Sequence, residues 1–514
     1  MRTHDGRSPT PTSPQRMVRG RNRVVVVSNR LPFVFQKEPN GGWRIEPGSG
    51  GLVSALLPVL RNRGGTWIGW PGTEGRSEDL DRTLEQTGET AGYSLRPVHL
   101  SADEVHNFYH GFANEIIWPL FHDLQSLCNF DPTYWKVYCD VNRRFAQAIM
   151  DTASHEDFIW VHDYHLMNVG AELRALRCRA KIGFFLHIPF PPVDLFVKLP
   201  WRARLIEALL HFDLVGFQTL RDRRNFVQCV RALNSEVRFQ GKGHIMVAHV
   251  GKREVRVGAF PISIDYNTFM RQAAAPAIAE RAKELHTLLP KRRLVLGIDR
   301  LDYTKGIPHR LDAFNTMLKR YPRLRERMSL IQVVVPSRVD IPEYGELKTT
   351  IEQLVGRING EYAKPGGWVP VWYVYGSLTR SELLAYYRAA DIALITPLRD
   401  GMNLVAKEYC ASSIEEDCVL ILSEFAGAAT QLRNGAMLVN PFDIEEVADT
   451  LKRAYDMDIE ERQARMRRMK RSIREYDIFW WVDSFMNAAF TRDLSDFPAP
   501  SEATEDLAES SLPF

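Results

Sequence analysis

Two series of short, almost wholly apolar segments, separated by stretches of helical period, constrain this chain more than any other feature. The first series is 23–28 (RVVVVS), 158–161 (FIWV), 181–188 (KIGFFLHI) and 213–217 (DLVGF). The second is 293–298 (RLVLGI), 330–335 (LIQVVV), 369–375 (VPVWYVY), 392–395 (IALI) and 419–422 (VLIL). Runs this apolar predict strands buried on both faces, which is the situation of a parallel sheet covered by helices. A chain of 514 residues exceeds one ordinary core. The reading is therefore α/β, with two doubly wound domains facing each other across a cleft. Ligands of such sheets sit beyond the carboxyl ends of the strands, so the cleft is where function is to be sought.

The helices announce their starts. Thr379 stands three residues before Glu382, ahead of Leu383, Leu384 and Tyr387; Asp443 stands three before Glu446, ahead of Val447 and Leu451. Both are capping-box patterns. Ile307, Leu311, Phe314 and Leu318 share one helical stripe. The two series part near 262–293, an Ala-rich segment with scattered charges. The divisions expected are a tail over 1–22, a first domain over 23–265, a second over 266–480, a helix over 481–494 returning to the first domain, and a tail over 495–514. Both tails read as disordered. Within 34–45, Asn40-Gly41-Gly42 between alternating runs predicts a hairpin near the cleft mouth.

Charge and cysteines narrow the function classes. A net charge of +3 with interspersed signs offers no dedicated basic face for nucleic acid. Cys128, Cys139, Cys178, Cys229, Cys410 and Cys418 are scattered, which fits reduced thiols in a cytoplasm rather than a disulfide framework or zinc site. No apolar run reaches membrane-spanning length, and 1–22 lacks the apolar stretch of a secretion signal.

Four motifs carry candidate chemistry. Gly48-Ser49-Gly50-Gly51 precedes an apolar run, where backbone N–H groups at a helix start can approach a phosphate; alone, a plain tight turn explains it as well. Arg300 and Lys305 frame DRLDYTKG, a forked and a point cation suited to a diphosphate, though a solvated charged loop is equally compatible. In TPLRDGMNLVAKE, Asp400 is expected at a strand end and Glu408 about two turns into the following helix, so that two carboxylates can grip hydroxyls at either end of a nucleotide sugar, a helix-capping Asp with a surface Glu being the plainer alternative. His162-Asp163-Tyr164-His165 and His187 end adjacent strands. A metal site there is the weaker reading, and polar groups facing the cleft the better one. No nucleophile elbow and no Gly-x-x-x-x-Gly-Lys-Ser/Thr loop is present.

Together these residues closely resemble the trehalose-6-phosphate synthases, retaining glycosyltransferases of the two-Rossmann, GT-B fold. The likeness covers 24–481 and rests on VVVVSNRLP, GGLVSAL, NFYHGFANEIIWPLFH, WVHDYHLM, IGFFLHIPFP, DLVGFQT, DRLDYTKG, VPSRVDIPEY, TPLRDGMNLVAKEY and LSEFAGAA, in order. It implies a donor site in which Gly50 and Gly51 cover the diphosphate, Arg300 and Lys305 bind it, and Glu408 meets the ribose. The backbone of Leu404, Val405, Ala406 and Lys407 holds diphosphate and sugar, while Asp400 and His187 contact the transferred glucose. Leu378 falls where a member of the family has Phe beside the nucleobase, which leaves UDP, GDP and ADP open. For the acceptor it implies Arg30 and Arg338 on a 6-phosphate, Tyr109 and Trp118 as aromatic contacts, and Asp163 beside the reacting hydroxyl. The catalytic set implied is Asp163, His187, Arg300, Lys305 and Asp400.

The activity implied is transfer of glucose from a nucleoside-diphosphate glucose to glucose 6-phosphate, giving trehalose 6-phosphate with retention. Attack comes on the face the nucleotide leaves, with no metal or other cofactor. Glycerol 3-phosphate as acceptor and a non-catalytic regulatory role are the alternatives. The partners expected are small-molecule substrates and further copies of the chain, in a dimer or tetramer, with no nucleic acid or membrane.

Overall fold

The computed structural model describes residues 23–491, apart from 39–41, 49–51, 54–55, 58–59, 61–63, 242, 289–291, 339–340 and 365–366. The expected tails therefore lie outside the described residues, as do Gly50 and Gly51 and the tip of the expected hairpin.

The strands are β1 (Val24–Arg30), β2 (Phe33–Lys37), β3 (Trp43–Pro47), β4 (Gly65–Trp70), β5 (Ser94–Pro97), β6 (Phe158–His162), β7 (Lys181–Phe185), β8 (Leu214–Phe217), β9 (Arg238–Gln240), β10 (Ile245–Val250), β11 (Arg253–Ala259), β12 (Arg293–Arg300), β13 (Met328–Val335), β14 (Val371–Tyr375), β15 (Ile392–Ile395), β16 (Val419–Ser423) and β17 (Met437–Val439). One sheet runs β5-β4-β1-β6-β7-β8-β11-β10-β9, the other β14-β13-β12-β15-β16-β17. The second is parallel throughout. In the first, only the pairings of β10 are antiparallel. Val24 to Val27 and Leu420 to Leu422 are fully buried, as strands covered on both faces must be.

Each expected strand is present within a few residues. β4, β5, β9 to β11 and β17 were not legible. GTWIGW lacks a β-branched run, yet every residue of β4 is buried, because neighbours on both faces supply what propensity does not. β2 and β3 form the expected hairpin, Lys37 opposite Trp43. Thr379 and Asp443 cap their helices by accepting from the N–H groups of Glu382 and Glu446 at 3.2 and 2.9 Å.

Chain order explains where the lobes open. In the first sheet the chain leaves β1 toward β4 and β5, then restarts at β6 on the other side of β1. In the second it leaves β12 toward β13 and β14, then restarts at β15 on the other side of β12. A crevice forms where the winding reverses, so the loops after β1 and β6 face those after β12 and β15. Helix Ile478–Phe490 packs on the first sheet. Trp481 and Phe485 stack on Trp160 at 5.0 and 4.5 Å, and Phe485 meets Phe185 and Phe260 edge-on. From this packing we propose the division 23–265 and 266–480, with the end of the chain laid over the first lobe. Among the described residues no helix is long and apolar enough to cross a membrane.

Candidate active site

The two switch points supply the site. Following β12, Asp302 accepts from the N–H of Thr304 at 3.0 Å and starts a single turn that ends at Lys305. Below it Arg310, fully buried, pairs with Asp299 at 2.6 Å and reaches Thr396 at 3.2 Å, tying the loop after β12 to that after β15. Lys305 is thereby brought to Asp400, Nζ to Oδ2 2.6 Å. Burial alone would raise the Asp400 pKa, but Lys305, His122 and Asn403 outweigh it and hold the carboxyl below its usual range. Arg300, at the end of β12, is exposed, its guanidinium 6.0 Å from the Trp118 ring of the opposite lobe.

Helix Leu404–Ser412 opens behind Asp400. Asn403, at φ +78°, caps it by accepting from the Ala406 N–H at 3.1 Å and donates to Asp400 at 3.2 Å. The helix start therefore points at the same gap as Lys305. One expectation is corrected here. Because the helix begins only at Leu404, Glu408 lies about one turn in, not two; the left-handed residue at 403 delays the start. Tyr387 donates to Glu408 at 2.8 Å, while burial pushes that carboxyl up. Leu404, Val405 and Leu378 are half-buried, and Ala406 is buried. The Lys407 side chain turns away from the cleft and donates to the carbonyl of Ile262 at 2.7 Å.

Across the gap, Arg30 is exposed at the end of β1, its guanidinium 3.9 Å from the Trp70 ring and 5.5 Å from that of Tyr109. Gly72, at φ +94°, makes room for it: a Cβ there would collide with Arg30 Nη1. Arg338 comes from the second lobe at φ +50°. It donates to the hydroxyls of Tyr344 at 2.7 Å and of Tyr164 at 3.2 Å, and lies 4.1 Å over Trp118. Burial opposes its charge, but Tyr164, Tyr344 and Asp302 keep it charged. Tyr109 stands among the cations. Burial would raise its hydroxyl, yet Arg338, Arg30 and Arg300 together bring it below its ordinary value. Arg30 over Tyr109, and Arg300 and Arg338 over Trp118, bring three guanidinium groups from two lobes into one neighbourhood, an arrangement suited to an anion.

Asp163 follows β6 at φ +74° and accepts from the N–H of His187 at 3.2 Å. Burial pushes its carboxyl up to about 6, against those backbone bonds and the charges of Arg338 and Arg300. His187 meets His162 through Nε2 at 3.2 Å, and burial lowers its pKa to about 3. His165 instead stacks on Tyr109 at 5.8 Å. The two histidines of the HDYH string serve different neighbours, and among the described residues no group of three or more His, Cys, Asp or Glu could hold a metal ion.

Contacts thus join Arg30 to Tyr109, Arg300 and Arg338 to Trp118, Asp163 to His187 and Lys305 to Asp400, while the Lys407 side chain is directed elsewhere. Sequence reading missed Tyr164, Tyr344, Asp302, Trp70 and His122. All but Trp70 lie inside strings that carried the family resemblance, which marked the segments without giving these residues a role. Gly401 shows how close the lobes come: a Cβ there would collide with the carbonyl of His187.

The model of glycosyltransferase family 20 matches residues 22–490. A trehalose-6-phosphate synthase of Mycolicibacterium smegmatis is 42% identical over 501 residues, 96% of this chain and 98% of the relative. One from Mycobacterium tuberculosis is 43% identical over 478 residues, 91% and 95%. Among solved structures, an alpha,alpha-trehalose-phosphate synthase (UDP-forming) from Burkholderia xenovorans in complex with glucose-6-phosphate is 35% identical. It superposes with a TM-score of 0.80, covering 91% of this chain and all of the other. An E. coli structure bound with UDP-2-fluoro glucose is 35% identical, TM-score 0.80, covering 91% and 99%.

Proposed function

The chain belongs to glycosyltransferase family 20, and from that membership we propose that it transfers glucose from a nucleoside-diphosphate glucose to glucose 6-phosphate, forming trehalose 6-phosphate. The observation that carries the reading is the convergence of Arg30, Arg300 and Arg338 on Tyr109 opposite the Lys305–Asp400 pair. Cations suited to a sugar phosphate beside a cation suited to a diphosphate support this reading. UDP-glucose is the donor we favour, because the Burkholderia relative is UDP-forming and the E. coli structure holds a UDP sugar.

In this reading Arg30 and Arg338 fork onto the acceptor phosphate, and the faces of Tyr109 and Trp118 receive its hexose ring. Asp400 and His187 hold the transferred glucose, and Glu408 the ribose. The anomeric hydroxyl of the acceptor approaches the face that the diphosphate leaves. A bond forms between that oxygen and the donor anomeric carbon, the bond from that carbon to the diphosphate oxygen breaks, and the proton passes to the departing phosphate. Configuration is retained without a covalent sugar–enzyme intermediate, unlike double displacement. Arg300, Lys305 and the N–H groups opening helix Leu404–Ser412 stabilise the charge that builds on the diphosphate. Since the chain's own cations do this, turnover is expected to persist in excess chelator. The Gly401 contact supports a cleft that closes against water, which strengthens each of these charges.

The deciding experiment offers purified protein glucose 6-phosphate or glycerol 3-phosphate with UDP-, GDP- or ADP-glucose, following nucleotide release and the product's anomeric couplings by NMR. Release only with glycerol 3-phosphate, or an inverted product, rejects the reading. Light scattering tests the expected homo-oligomer.

A further inference from the structure

One peptide of the crossover between the lobes is gripped from both sides. Ile262 lies between β11 and helix Tyr266–Ala273. Its N–H donates to Gln218 Oε1 at 3.0 Å, from the first lobe, and its carbonyl accepts from Lys407 Nζ at 2.7 Å, from the helix that carries Glu408. Both side chains are buried, Gln218 at 2% and Lys407 at 0% exposure. The neighbouring carbonyls are held by the returning chain, Phe260 by the Trp481 indole at 3.1 Å and Ile264 by the Ile478 N–H at 3.0 Å. The crossover is thus pinned by Trp481, whose ring neighbours those of His162 and His187 at 6.4 and 6.2 Å.

The grip has a chemical consequence. A backbone N–H only donates, so the end of the Gln218 amide facing Ile262 is its oxygen. The other end, Nε2, stands 3.5 Å from His187 Nδ1. An amide nitrogen only donates, so Nδ1 must accept. A neutral imidazole carries one proton, and that of His187 therefore sits on Nε2, directed in this structure at His162 Nδ1. We infer that Gln218 and Lys407 are positioning residues: by holding the two polar atoms of the Ile262 peptide from opposite lobes, they fix His187 as its Nε2–H tautomer and register helix Leu404–Ser412 against it. A partner on the far nitrogen is what sets which ring nitrogen meets a ligand. Lys407, although beside Glu408 in sequence, acts from behind the site.

The transfer assays rest on the proposed function; the tautomer does not. Nitrogen-15 NMR of histidine-labelled native protein, with His187 assigned by its loss in His187→Gln, should show Nδ1 unprotonated and Nε2 protonated. Gln218→Met, of similar length but without donor or acceptor, should lower kcat roughly tenfold with both KM values within about twofold, and should let the His187 signal shift toward a tautomer mixture. Because both grips act through one peptide, adding Lys407→Met should cost less than the product of the single losses. Should Lys407→Met not fold, Lys407→Gln, a shorter donor, takes its place. An Nδ1–H tautomer in the native protein, undiminished kcat in Gln218→Met, or losses that simply multiply overturns the clamp. If the native protein transfers no glucose, the function falls, while the tautomer of the free protein still decides the clamp.

Discussion

The two lobes hold their site cations by opposite means. In the second lobe Lys305 is already paired with a carboxylate, Asp400 at 2.6 Å, and Arg310 below it with Asp299. In the first, Arg30 lies on aromatic faces. Arg338, reaching over from the second lobe to the same place, is held by two tyrosine hydroxyls and the Trp118 face, with the buried Asp302 carboxylate farther off at 3.8 Å. An aromatic face and a hydroxyl stabilise a guanidinium without cancelling its charge. A carboxylate cancels it and in a buried setting fixes its geometry. Arg30 is therefore a charge reserve waiting for an anion, and Arg338, with its carboxylate at the longer distance, is only partly neutralised. The donor side is a rigid dipole whose cation an incoming diphosphate must share with Asp400.

The largest expected effect tests the cation that follows neither pattern. Arg300 is exposed, between the two sites. Arg300→Ala is expected to lower kcat about 100- to 1,000-fold at saturating substrates, the usual cost of removing one donor to a developing oxyanion. Near-normal turnover would remove it from the mechanism. Next is the contrast itself. Lys305→Ala leaves Asp400 buried without its cation and should cost about 3 kcal/mol of stability in denaturant unfolding, whereas Arg30→Ala should cost under about 1 kcal/mol. Equal losses would erase the distinction between the lobes. Arg338→Ala should raise the acceptor KM about 10- to 100-fold, the worth of a charge-assisted bond to phosphate, with the donor KM little changed; the reverse pattern would move Arg338 to the donor side.

The smallest effect concerns pH. Asp163 is pushed up to about 6 by burial, and its proposed role needs the ionised form beside the reacting hydroxyl. kcat/KM should therefore fall about tenfold per pH unit below 6, and Asp163→Asn should lack that limb. Stability runs the other way. A carboxyl whose folded pKa is raised contributes fully below its unfolded value of about 4 and loses that contribution as pH rises through 6. Asp163→Asn should accordingly unfold slightly later than the native protein above pH 6.

Legibility differed between the lobes for related reasons. Most donor residues sit in two unbroken strings, DRLDYTKG and TPLRDGMNLVAKE, each ending one strand and opening one helix, so local pattern carried them; Gly50, Gly51, His187 and Leu378 lie elsewhere. The acceptor site gathers Arg30, Tyr109 with Trp118, Asp163 and Arg338 from four separate segments, and only the family resemblance joined them. Tyr344 and Asp302, which hold Arg338, lie inside the strings VPSRVDIPEY and DRLDYTKG, but nothing local gave them a role, since a tyrosine within a helix and an aspartate capping a turn are ordinary at their own positions. The start of helix Leu404–Ser412 was misplaced because Asn403 adopts a left-handed backbone that its residue type permits but does not announce.

By itself the sequence determined the alternation of buried strands and capped helices, hence two parallel sheets and a cleft, because burial on both faces and helix starts leave marks in consecutive residues. Only the tertiary structure decided what that cleft contains. Which cations meet carboxylates and which meet rings, and that one crossover peptide is held from both lobes, depends on residues distant in the chain. Contacts of that kind are set by packing in three dimensions, and no spacing along one dimension encodes them.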